Sequence, residues 1–547
     1  MINLDNKQIQ KICDLYNDGD MEESSIKIRR KYLHDDGNVS VFEIFGLLDS
    51  LVILHDDNES KTRYVTFKKS DTANYLILRT DKSIEDLRFD AACMLRRVLR
   101  QLHEKQGPVS INCSVTDRGF TREDKHFACA LLMPEKELIQ FITQKDENGN
   151  YLYLNEKNEI SFKNINVVAD HFGLPFGKCS SRMFLVFEKL RNEKRGNFYL
   201  EGCTSKKAYK ELRAKYSEKQ MKKDRDEVCP NHERNSEERI KLLINALHYR
   251  PYDKLSDVAK RKILVNLIEY DAVNEKVVDT PQEVKDVIYQ YIASGGKVDK
   301  NGVMHTGDKT LTLSDDQLIV IGEYDLSEKV LKDNLITNMM KYDPTLSRLK
   351  GLSYKDAINA LTERDICYFI KSLHRDLYKR LEEKYEEKRG GEYRNYPVYL
   401  PMTGVAPIEW TQINYEMQNL AYRILTVLKD NVNGQLSNCE YIERVNQEIY
   451  NMIRMQPFQD GNKRTSKLLS NILYQEKGIP YILVSQENYG AFVDGWRSHN
   501  TDCYNKMMYS LILDSYSYFY GNQSVNEVVN ARSKSEKIIN ANRKKKR

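Results

Sequence analysis

The chain has 547 residues, 40% apolar and 30% charged, with a formal net charge of +5. That length exceeds one ordinary core, so about two or three domains are expected, of ordinary soluble composition. No apolar run approaches the roughly eighteen residues of a membrane span, the first residues lack a signal-peptide pattern, and the 10 scattered cysteines read as reduced thiols, so a cytoplasmic protein without membrane contact is expected.

In chain order, residues 1–30 read as a polar helical lead-in. From Asn38 to Lys69 the pattern passes from helix to strand, and Val65-Thr66-Phe67 and Tyr75-Leu76-Ile77-Leu78 are β-branched or aromatic runs of strand type. A long helix is expected from Ile84 to His103. A second starts near Glu123 and is broken by Pro134, and two short ones flank Gly173 and Pro175. Arg88-Phe89, Phe127-Ala128, Leu131-Leu132-Met133-Pro134 and Val168 to Leu174 together resemble the ImmA/IrrE metallopeptidases over residues 31–195. The resemblance implies an α+β, peptidase-like N-terminal domain. In that family the first helix carries His-Glu-x-x-His, whose histidines face one zinc while the glutamate activates water. The corresponding positions here are Cys93, Met94 and Arg97, and only Glu123 falls where a third ligand would stand. One thiol and one carboxylate beside a guanidinium do not make a catalytic zinc site. A degenerate scaffold is expected, with no zinc and no peptidase activity.

Residues 196–235 form a basic linker, with a dense run from Lys206 to Arg225, and the tail 521–547 ends Arg543-Lys544-Lys545-Lys546-Arg547. Such runs are usually solvated, and contact with nucleic acid or an acidic partner is the minor reading. Cys203, Cys229 and His232 have ligand-like spacing but lack an evident fourth partner. Residues 236–310 read as a helical connector with turns at Gly295-Gly296 and Gly302, and residues 311–520 as mainly helical.

The most informative stretch is Gln456-Pro457-Phe458-Gln459-Asp460-Gly461-Asn462-Lys463-Arg464-Thr465. A helix from Tyr441 ends at Pro457, a loop follows, and a second helix begins near Asn462. Gly461 permits a turn that aims backbone amides at one spot, where the helix dipole adds positive potential. Asp460 supplies a hard oxygen suited to Mg²⁺, and Lys463 and Arg464 supply charge for phosphate. A base is missing, since the amide of Gln456 cannot accept a proton near neutral pH.

This stretch resembles the Fic (Fido) motif His-Pro-Phe-x-Asp/Glu-Gly-Asn-x-Arg at every specified position except the first, where Gln456 replaces histidine. The resemblance implies an all-α Fic fold over 311–520 with a β-hairpin flap, so the whole is multidomain and mainly α. It implies ATP (or another nucleoside triphosphate) with Mg²⁺, attack of a target Ser, Thr or Tyr hydroxyl on the α-phosphate, and transfer of AMP to protein. Asp460 would hold the Mg²⁺. Gly461, Asn462, Lys463, Arg464 and Lys467, the last replacing a second family arginine, would bind nucleotide. Val398, Tyr399, Leu400, Met402, Thr403 and Gly404 would form the flap that registers the target as an added strand. In the Doc-like branch the nucleotide lies reversed and the γ-phosphate is transferred. His374 could be proposed as a substitute base, although a helical histidine beside Leu373 and Leu377 is more often packed or solvated. Many relatives carry a restraining helix whose glutamate pairs with the second arginine. Its nearest counterpart is Thr337 to Tyr342, with Lys341 in the glutamate position. Losing the base removes about 10² to 10⁴-fold in rate. Three readings stay open: a nucleotide-binding Fic protein with weak or lost transfer, an active nucleotidyl- or phosphotransferase toxin, and a non-catalytic sensor in bacterial regulation or defence. The target and oligomeric state stay undetermined.

Overall fold

The computed structural model describes residues 7–17, 19–32, 40–48, 50–55, 66–69, 74–79, 82–103, 113–114, 119–245, 257–275, 277, 279–306, 309–385, 390–398, 400, 406–484, 486–498 and 500–517. The chain divides into two compact units, residues 1–247 with 520–547, and residues 248–519.

The first unit opens with helices α1 (Lys7–Cys13), α2 (Met21–Lys31) and α3 (Val41–Leu47). Strands β1 (Ser50–His55), β2 (Thr66–Lys69), β3 (Asn74–Arg79) and β4 (Cys113–Ser114) form a mixed sheet in the order β1-β3-β2-β4. β1 and β3 are parallel, with Val52 opposite Leu76, and β2 is antiparallel to both β3 and β4. Helix α4 (Ile84–His103) packs against the sheet, α3 and α5 (Arg122–Leu132). Thr121 and Asp124 close a capping box at the start of α5. There follow α6 (Glu135–Ile142), α7 (Phe162–Phe172) and α8 (Phe176–Asn192), with Gly173 in the left-handed region (φ 59°) between the last two. Two short parallel strands, β5 (Glu159–Ile160) and β6 (Tyr199–Leu200), precede α9 (Lys206–Lys215), α10 (Glu218–Val228) and α11 (His232–Asn245). The basic run is thus helical, and α9 and α10 bury no residue, as a solvated surface requires.

The second unit starts with α12 (Asp257–Asn274), α13 (Pro281–Ala293) and an antiparallel hairpin of β7 (Val303–Thr306) and β8 (Lys309–Thr312). Helices α14 (Asp315–Val330), α15 (Leu335–Tyr342), α16 (Tyr354–Asn359), α17 (Glu363–Tyr385), α18 (Ile413–Val432), α19 (Asn438–Met455), α20 (Asn462–Gln475), α21 (Gln486–Arg497) and α22 (Thr501–Ser517) complete it. α17 packs on α14, α18 and α20, α19 packs on α18, α20 and α22, and α12 packs on α13, α14 and α21. α19 buries Ile442, Val445, Ile449, Met452 and Ile453, a three-to-four spacing that makes one apolar stripe. Residues 236–310, expected as one connector, fall partly in each unit: α11 in the first, α12 and α13 in the second. No described helix is long and apolar enough to cross a membrane.

Candidate active site

The site is built where α19 stops and α20 starts. Gln456 caps α19 in the left-handed conformation (φ 50°), which turns the chain sharply into Pro457. Both ends of its side-chain amide are tied down: Nε2 donates to the Ile453 carbonyl at 2.5 Å, and Oε1 accepts from Asn462 Nδ2 at 3.0 Å. Asn462 staples the loop further. Its Nδ2 also donates to the Phe458 carbonyl, and its Oδ1 accepts from the Phe458 amide, both at 2.9 Å. From outside, Arg394 Nε donates to the Gln456 carbonyl at 2.7 Å, and the Arg394 amide donates to the Pro457 carbonyl at 2.9 Å. Arg394 is itself buried.

Gly461 caps α20 at φ 70°, and a Cβ there would lie 2.9 Å from Tyr378 Oη and 3.1 Å from Leu377 Cδ2, so the backbone angle and the space both demand glycine. No side chain caps α20, which leaves its first amides available to an anion. The ring of Phe458 lies flat on His374, centroids 3.8 Å apart. His374 Nδ1 accepts from the Gly391 amide at 2.9 Å, so Nε2 carries the proton and donates to the Asp460 carbonyl at 2.8 Å. Burial pushes the imidazole down to about 4. His374 is therefore a neutral strut of the loop, both of whose nitrogens are used.

The Asp460 carboxylate is 76% exposed. Desolvation would raise it, but the Gly461 amide, Arg464 and Tyr378 outweigh that and hold it below the usual carboxylate range. Tyr378 Oη donates to Asp460 Oδ2 at 2.9 Å and accepts from Arg464 Nη2 at 3.1 Å. Arg464 is buried, and its Nη1 has no hydrogen-bond partner. An ionised, accessible carboxylate beside uncapped amides and an unsatisfied guanidinium nitrogen fits a magnesium-bearing polyphosphate.

Lys463 and Lys467 are committed elsewhere. Lys467 Nζ bonds Asp271 Oδ1 and lies 3.8 Å from Glu275 Oε1, while Lys463 Nζ lies 2.5 Å from Glu275 Oε2 and 3.0 Å from Tyr489 Oη. Burial opposes the Lys467 charge, but Asp271 and Glu275 hold the ammonium above its usual value. Next to them, burial and then Asp271 push the Glu323 carboxyl up to about 8. Asp271 in the last turn of α12 and Glu275 just past its end, one turn apart, are the local sequence signal for this pairing. Lys341, expected opposite Lys467, does not meet it. Its Nζ contacts Asp333 Oδ2 at 2.7 Å and the Lys329 carbonyl at 2.6 Å, because α15 turns it toward its own N-terminal side.

Of the flap residues, Val398 and Leu400 are half-buried, whereas Tyr399, Met402, Thr403 and Gly404 lie outside the described residues. In the first unit, Cys93 and Met94 are buried in α4, and Arg97 Nε donates to Asp124 Oδ2 at 2.7 Å. Arg96 holds the other Asp124 oxygen at 2.8 Å, so the carboxylate turned toward α4 is Asp124, while Glu123 is exposed. Further on, Cys229 is buried and His232 Nδ1 lies 2.7 Å from Asp170 Oδ1. Among the described residues no group of three His, Cys, Asp or Glu could hold a metal ion.

Residues 363–474 match the Fic/DOC family and so form a Fic/DOC family domain running from α17 to the end of α20. Solved structures similar to this chain include a Fic domain containing signaling protein from Bacteroides thetaiotaomicron VPI-5482, with 17% identity over 50% of this chain and 90% of that one, at a TM-score of 0.35. A Fic-1 fragment from C. elegans is similar at 15% identity over 73% of this chain and 99% of that one, at a TM-score of 0.33. No curated protein matches the chain.

Proposed function

We propose that the second unit is a Fic-type nucleotide-binding domain that takes Mg²⁺·ATP, or another nucleoside triphosphate, at the turn from Asp460 to Arg464. In this reading AMP transfer to a protein Ser, Thr or Tyr hydroxyl is weakened by Gln456 and restrained by Asp271 and Glu275. The observation that carries it is the Gln456 amide, tied to Ile453 and Asn462, beside a His374 whose two nitrogens both support the loop. Neither side chain is placed to accept a hydroxyl proton, so positioning and charge stabilisation are what remain.

Bound with the nucleotide, Mg²⁺ would neutralise phosphate charge and orient the phosphoryl oxygens. Asp460 is the exposed carboxylate suited to hold it. The amides that open α20 and the free nitrogen of Arg464 would take phosphate oxygens, and the segment around Val398 to Gly404 would align the target strand. Lys463 and Lys467 can reach phosphate only when Asp271 and Glu275 release them.

Mg²⁺·ATP should raise the melting temperature of the native chain and leave that of Asp460→Ala unchanged. Gln456→His, incubated with labelled ATP and cell lysate, should label protein where the native chain does not. Absence of any nucleotide-induced shift would leave only a sensor or interaction role. A second reading, an active transferase switched off in this state, is favoured by the ordered Asp460–Gly461–Asn462–Arg464 turn with its lysines masked. It requires the Asp271→Asn, Glu275→Gln double variant to label protein while keeping Gln456.

A further inference from the structure

The first unit contains a cavity of about 680 Å³. That is within the roughly 300–1,000 Å³ of small-molecule sites. Two helices face it. On α5, Arg122, His126 and Cys129 recur at helical spacing, and on α8 Lys178, Arg182 and Leu185 do the same, so each helix turns one stripe toward the space. Phe89 of α4 and Met21 of α2 add apolar surface.

The charge of this lining is positive. Arg122, Lys125, Lys178 and Arg182 stand against Glu123 within the lining, and Glu22 reaches Arg182 from α2. Arg182 is 4% exposed, and its Nη2 donates to Glu22 Oε1 at 2.6 Å. Its Nε is buried without a hydrogen-bond partner. That nitrogen is sealed from the cavity, so what Arg182 brings to the lining is its positive charge. Lys178 Nζ sits 5.0 Å from the Phe89 ring centroid and interacts electrostatically with Asp90. A space of 680 Å³ with an aromatic wall and a basic lining suits an organic anion better than water alone.

We propose that this cavity binds a small organic anion, with its carboxylate or phosphate at Lys178 and Arg182 and its apolar body against Phe89, Met21 and Leu185. The site is independent of the nucleotide reading of the second unit.

The test uses the full chain and 8-anilinonaphthalene-1-sulfonate, an aromatic anion whose fluorescence rises in an apolar site. The expected result is saturable binding at one site, at least about tenfold tighter than that of the uncharged analogue N-phenyl-1-naphthylamine. Decanoate or phenyl phosphate should displace the probe, and which of them does so tells a carboxylate ligand from a phosphate one. Lys178→Gln should weaken probe binding about tenfold, while Lys206→Gln on the solvated α9 should leave it unchanged. Non-saturable binding, displacement by neither competitor, or equal binding of the uncharged analogue would overturn the proposal, as would identical behaviour of the two lysine variants. Should Lys178→Gln not fold, the comparison of charged and uncharged probes on the native chain decides.

Discussion

At the residue scale, His374 and Gly461 hold the motif loop by different physics. His374 is buried as the neutral imidazole, with its pKa pushed down to about 4, against about 6.5 in an unfolded chain. Below about pH 6.5 the unfolded state takes up a proton that the folded state refuses, so stability present above that pH is lost as pH falls toward 4, by up to about 3 kcal/mol. In His374→Gln this part of the pH dependence should vanish, which urea unfolding of both proteins at pH 7 and pH 5 would read. Equal losses in the two proteins would show that another group titrates. Gly461→Ala meets both a positive φ and the Tyr378 hydroxyl, so it should lower stability by about 1–3 kcal/mol and remove the melting shift produced by Mg²⁺·ATP. Gln456 fits the tight αL corner at the end of α19 because its amide satisfies Ile453 and Asn462, and the same contacts keep it from the chemistry expected at that position.

At the element scale, the Asp271–Lys467 pair links α12 to α20 with both partners almost fully buried, at 6% and 7% exposure. Removing one partner of such a pair leaves an uncompensated charge, at about 3–5 kcal/mol. Asp271→Ala should therefore destabilise the second unit by about 3 kcal/mol, and adding Lys467→Met should restore most of it. Chemical denaturation reads both, and a single-variant loss below about 1 kcal/mol would show that Glu275 or water replaces the pair. The Asp271→Asn, Glu275→Gln variant keeps the shapes and removes the charges, so α12 should release Lys463 and Lys467 and ATP should bind about tenfold tighter, as calorimetry would show.

At the scale of the whole molecule, each unit has its own core, and the two were legible to different degrees. The helix–loop–helix around Gly461 could be read from Gln456-Pro457-Phe458 through Arg464, because a proline stop, a glycine turn and an apolar stripe are all local features. The helices from Ile84 and from near Glu123, and the stop at Pro134, were read for the same reason. Which carboxylate of α5 faces α4 was not legible, and it is Asp124, since a one-residue step rotates a helix face by about 100°. Zinc bound at stoichiometry in the purified chain would contradict the side chains that Cys93, Met94, Arg97 and Glu123 offer.

The sequence by itself determined the glycine turn at Gly461 and the helices on either side of it, since these depend on residues within a few positions of one another. Only the tertiary structure decided that Lys467 meets Asp271, 196 residues away, that His374 and Arg394 are the struts of the loop, and that α5 and α8 line a basic cavity. Such pairings depend on which helix faces come together when the core closes, and no local spacing encodes that choice.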